Sequence, residues 1–102
     1  MLLKFDARKE RPSNEEWAEL ERYVCELYPL FLHKLNSALP GIKTENIRIA
    51  ILVKLELAPT QIAFLTSKTI QAVSNARCRM FLKVHGGDKC TTEEADRWIR
   101  EM

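Results

Sequence analysis

Apolar residues recur at steps of three or four along most of this chain. Trp17, Leu20, Val24 and Leu27 follow Ser13, which has Glu16 three residues on, and this spacing predicts a capping box opening an amphipathic helix. Pro29 removes a backbone donor and crowds the preceding turn, so a kink or restart is expected there. Leu30, Phe31, Leu32, Leu35 and Leu39 then carry an apolar face up to Pro40-Gly41. Residues 13–39 read as one broken helix or two short ones, and the stripe Trp17, Leu20, Tyr23, Val24, Leu27 and Phe31 reads as core, with a dimerising extension as the other reading.

The segment 47–57 (IRIAILVKLEL) is apolar at every odd position, which alone is a strand pattern. Ala50 and Leu52 are apolar as well, no second segment offers a strand partner, and Thr44 supplies an N-cap, so a helix buried on most sides is expected. Pro59 suits a first helical position ahead of Ile62, Ala63 and Leu65, and Thr66-Ser67-Lys68 forms a polar break. Thr69 caps a longer helix whose inward stripe is Ile70, Val73, Ala76, Met80 and Val84, ending at His85-Gly86-Gly87. Thr91 with Glu94 opens a last short helix with Ala95, Trp98 and Ile99 facing inward.

The pattern gives an all-α fold, a compact helical bundle with an N-terminal helical extension and a short C-terminal helix. A length of 102 residues, 46% hydrophobic and 29% charged, fits one domain over 13–102, and residues 1–12 read as a flexible lead-in or linker stub. No apolar run approaches the ~20 residues needed to cross a bilayer. Cys25, Cys78 and Cys90 are widely spaced with no C-x-x-C pair, and the start of the chain is too charged for a secretory leader, so a cytoplasmic location is expected. No thiolate or histidine cluster has metal-site spacing and no cofactor is implied. Nor does any nucleophile set or phosphate-cradling glycine loop point to an enzyme.

Charge changes the picture. The net charge is only +2, but residues 68–89 hold five basic residues and one acidic, between ends that are each net negative. Two short helices joined by a polar turn over about 59–84, the second longer and basic, have the make-up of a helix-turn-helix. At ~100° per residue, with Val73 pointing inward, Gln71, Asn75 and Cys78 fall on the opposite face, flanked by Ser74 and Arg79. These small polar groups suit base edges, and Asn or Gln pairs bidentately with adenine. Lys68, Thr69, Arg77, Arg79 and Lys83 are the candidate phosphate contacts; Arg77 lies nearer the core side and is expected to extend its stem outward. Leu82 also points outward and is expected to pack on the last helix or a partner.

Ile62-Ala63, Leu65, Val73, Met80 and Lys83-Val84 reproduce the spacing of a known family, and residues 44–85 resemble the LuxR-type C-terminal helix-turn-helix domain of bacterial transcription regulators. The chain departs from that pattern at Gln61, Ala72 and Ala76, and at Glu56, where a glycine commonly ends the preceding helix. The resemblance implies sequence-specific binding of double-stranded DNA, a recognition helix over about 70–84 in the major groove, and Ser74, Asn75, Arg77 and Cys78 facing it. It also implies dimers on paired half-sites and an effector domain belonging to a larger regulator. The alternative class is a helical protein-interaction module, docking on RNA polymerase or a regulator through the Trp17 to Leu39 face, or a sigma-factor-like promoter reader.

Overall fold

The Ser13 hydroxyl accepts from the Glu16 N–H at 3.2 Å while the Glu16 carboxylate accepts from the Ser13 N–H at 3.1 Å, so the capping box read from sequence is formed. The computed structural model describes residues 12–102; apart from Pro12, the expected lead-in 1–12 lies outside the described residues. Six helices follow in order: α1 Asn14–Leu27, α2 Phe31–Ala38, α3 Thr44–Lys54, α4 Pro59–Thr66, α5 Ile70–His85 and α6 Thr92–Arg100. The protein is an all-α bundle, and among the described residues no strand and no helix long and apolar enough to cross a membrane occurs.

The break at Pro29 separates α1 from α2, and the buried stripe runs through Leu20 and Val24, skips the turn and resumes at Phe31, Leu35 and Leu39. Leu27 and Leu30, expected to face inward, instead stand at the outer corner of this turn, 49% and 60% exposed. The chain reverses there before either side chain meets the core.

Helix α3 resolves the ambiguous segment. Ile49, Ala50, Ile51, Leu52 and Val53 are buried in succession, because α1, α4, α5 and α6 all pack around this helix. A helix covered on every side has no polar face, which is why its sequence alternates by accident rather than with a period of 3.6. Its cap is Lys43 and not Thr44, which is the first helical residue; no side chain caps this end. The other end is a Schellman turn: the Leu57 N–H donates to Leu52 O and the Glu56 N–H to Val53 O, with Glu56 in the left-handed region at φ 63°. Leu52 and Leu57, the two apolar residues that this motif brings together, are both buried.

Pro59 begins α4 as expected, and the Ala58 N–H donates to Gln61 Oε1 at 3.0 Å. A second Schellman turn closes α4, from Lys68 N–H to Ala63 O and Ser67 N–H to Phe64 O, with Ser67 at φ 58°. This turn sets α5 directly after α4 with three residues between them.

Within α5 the inward face is Val73, Arg77 and Met80, with Ala76 partly buried against the core. Ile70 and Val84 were expected on it, yet Ile70 is 48% exposed and Val84 is exposed as well; they fall in the first and last turns of α5. Leu82 is half-buried beside Glu94 of the last helix and Thr91, which caps it, as expected. Ala95 and Ile99 of α6 are fully buried, while Trp98 is only partly so and meets Phe81 and His85 edge to face at 5.9 and 5.3 Å.

Candidate nucleic-acid interface

Thr69 starts α5 by accepting the Ala72 N–H at 3.0 Å on its hydroxyl. That gives the Thr69 side chain a capping role, and its O–H is left to donate. From this start, Gln71, Asn75, Arg79 and Lys83 follow at intervals of four, each ~40° further round the helix, and all four are exposed.

Gln71 Nε2 donates to Asn75 Oδ1 at 3.0 Å. Each amide thereby holds the other in one orientation, and the groups left facing outward are the Asn75 amino group and the Gln71 carbonyl oxygen. Ser74, half-buried, accepts at its hydroxyl from Arg77 Nη2 at 3.2 Å and retains its own O–H to donate.

Arg77 is corrected most sharply. It is 3% exposed, and its Nη1 donates to both carboxylate oxygens of Asp96 on α6, at 2.8 and 3.0 Å. Its Nε is buried without a partner. At ~40° from Val73 its stem is on the core side, and α6 supplies a carboxylate that meets the guanidinium inside the bundle, so the side chain does not reach out to a phosphate or a base.

Cys78 is also less free than expected. Its thiol donates to Cys90 O at 3.3 Å, in the segment leading into α6, and the residue is half-buried. The Cys90 thiol beside it donates to Thr91 O; burial first, then the Cys78 side chain and the Glu94 charge, push it up to about 11, so it stays neutral at physiological pH. The loop 88–91 thus walls one flank of the exposed α5 stripe with Cys78 beneath it, which moves Cys78 out of the base-reading set.

Lys68 is half-committed: its ammonium pairs with Glu45 of α3 at 3.2 Å, at a partly exposed position. Among the described residues no carboxylate pairs with Arg79 or Lys83. Of the nine candidate residues, the structure brings Gln71, Asn75, Arg79 and Lys83 together on one open stripe, with Ser74 at its edge. It places Thr69, Arg77 and Cys78 in structural roles and Lys68 in an ion pair.

Sequence reasoning missed the wall opposite the 88–91 loop. Lys43 and Asn46, at the start of α3, border a concavity that also contains Arg79 and Lys83. Nothing in the local pattern brings residue 43 to residue 83; only the packing of α3 across α5 does.

No group of three or more metal-ligating side chains occurs among the described residues. No family model matches the chain, and neither a curated protein nor a solved structure does.

Proposed function

We propose that this chain binds double-stranded DNA in a sequence-specific manner, as the effector domain of a bacterial transcription regulator. Helices α4 and α5 act as a helix-turn-helix, and α5 lies in the major groove. The observation that carries this reading is the exposed pair Gln71–Asn75, joined by a hydrogen bond from the Gln71 amide, at the head of a stripe that continues into Arg79 and Lys83.

The chemistry fits a base edge. The outward donor on Asn75 and the outward acceptor on Gln71 complement the N7 acceptor and N6 donor that adenine displays in the major groove. Arg79 and Lys83 lie roughly 12 Å up the helix from Gln71 and Asn75 respectively, a spacing comparable with the width of the groove, so base contacts at the first turns put these cations near a sugar-phosphate strand. No acidic residue occurs between 68 and 87, and the acids nearest the stripe, Asp88 and Glu94, border the hollow beside Asn75 and not the one beside Arg79 and Lys83. Binding as a homodimer on paired half-sites, in the cytoplasm, accompanies this reading.

The second reading is docking on RNA polymerase or another protein. Most of the Trp17 to Leu39 face is occupied by the core, but Leu27, Tyr28 and Leu30 at the α1–α2 corner remain exposed and are what favours it. Salt separates the two. Titration of the full chain against labelled duplex across a salt series is expected to give a linear fall of log K with log salt, of slope about −2 or steeper. Failure to bind duplex even at low salt would leave only the docking reading.

A further inference from the structure

We propose that the concavity between the first turn of α3 and the second half of α5 is a seat for a backbone phosphate of the bound duplex, held by Lys43, Asn46, Arg79 and Lys83. This rests on the reading of α5 as the groove helix and extends the DNA contact to residues outside the helix-turn-helix.

The four side chains come from two elements and line one hollow of about 250 Å³ together with apolar Leu39, Ile42 and Met80. Lys43, Arg79 and Lys83 are exposed and Asn46 is half-exposed, so three cations and an amide donor are presented to solvent around one cavity. Such a set is matched by an anion with several acceptor oxygens, and a phosphodiester supplies two non-bridging oxygens sharing one negative charge per nucleotide step without asking for any base identity.

The electrostatics are cleared for it. The neighbouring acid on α3, Glu45, is paired with Lys68 at 3.2 Å on the side facing the α4–α5 turn. Among the described residues no carboxylate pairs with Lys43, Arg79 or Lys83.

Position adds the last step. Arg79 continues the stripe of Gln71 and Asn75, so a duplex read by that pair runs its near strand past Arg79 and Lys83, and Lys43 meets the same strand from the opposite wall. Arg79 and Lys83, which border the hollow, are themselves exposed, so an extended strand can lie across them. That favours a phosphate carried by a polymer over a free ion.

The test measures duplex affinity of the full chain across a salt series for wild type, Lys43→Gln, Arg79→Gln and, as a cation outside the hollow, Arg22→Gln. A thermal melt of each variant confirms folding. Lys43→Gln and Arg79→Gln are each expected to shallow the slope of log K against log salt by about 0.9 and to weaken binding roughly fivefold to tenfold at 0.1 M salt, equally on all sequences. Arg22→Gln is expected to leave the slope unchanged. Inorganic phosphate at matched ionic strength is expected to displace duplex no better than chloride; stronger displacement would mean a free-phosphate pocket and overturn the strand assignment. A Lys43→Gln slope equal to wild type overturns the inference while leaving the groove reading intact, whereas loss of all salt-dependent duplex binding in the wild type overturns both. Equal affinity for double-stranded RNA of the same sequence would reassign the surface to a general polyanion site and also overturn it.

Discussion

Lys54 and Arg100 cap each other's helices: the Lys54 ammonium donates to the Arg100 carbonyl at the end of α6, and Arg100 Nε donates to the Val53 carbonyl at the end of α3, 3.4 Å away. The two C-terminal ends, each with unpaired carbonyls and a partial negative charge, are thus neutralised by a cation from the other. Lys54 is only 7% exposed and lies 4.4 Å from the Tyr28 ring centroid and 5.5 Å from that of Phe31. This explains why an exposed Tyr28 sits at the α1–α2 corner: it roofs a buried ammonium.

The burial of that ammonium has a cost. Desolvation, and then the charge of Lys34, hold the Lys54 pKa below its ordinary value of 10.5. Lys54→Met keeps the unbranched stem without the charge and is expected to leave stability at about pH 7 unchanged or to raise it by about 1 kcal/mol, whereas Lys54→Ala should cost about 2 kcal/mol relative to Met. Between the lowered folded pKa and 10.5 the unfolded chain holds more protons than the folded one, so wild-type stability rises with pH in that window. Any advantage of Lys54→Met is therefore full at neutral pH and shrinks towards 10.5, as urea unfolding at several pH values would register.

Asp96→Ala leaves the Arg77 guanidinium buried with only Ser74 for company, and a loss of about 3 kcal/mol is expected in chemical denaturation. Replacing both, Arg77→Met with Asp96→Ala, should recover much of the loss. The double variant should also retain the wild-type salt slope for duplex, because Arg77 touches no phosphate.

Glu56 and Ser67 hold left-handed conformations at the two Schellman turns that bracket α4. For an L residue this region costs roughly 1–2 kcal/mol, partly offset in a glycine variant by its greater unfolded-state entropy. Glu56→Gly and Ser67→Gly are each expected to stabilise by about 0.5 kcal/mol, additively since the sites do not touch, which calorimetric melting would detect.

Most of the bundle could be read along the chain because most of its signals are local. Ser13–Glu16, Pro59 and Thr69 act on their own first turns, and the breaks at Pro29 and Ser67 fall where turn chemistry puts them. The differences within α5 share one origin. Helical angle gives a direction but not what waits there: Arg77 was placed correctly on the core side, yet its partner Asp96 lies nineteen positions on, on another helix. Cys78 lies on the face away from Val73, but the 88–91 loop comes back over it. Ile70 and Val84 lie in the first and last turns of α5, where they are only partly covered. Lys43 meets Arg79 and Lys83 only through the crossing of α3 and α5, so its part of the surface has no sequence signature at all.

The central claim is that Gln71 and Asn75 read bases, and selection of bound duplexes from a random pool tests it most directly. The wild-type chain should enrich one motif that contains an adenine contacted by this pair, and Asn75→Ala should relax preference at that position alone, at a cost of about 1–3 kcal/mol on the selected site and little elsewhere. A pool that stays random after repeated rounds, or a motif that Asn75→Ala leaves untouched, would contradict it.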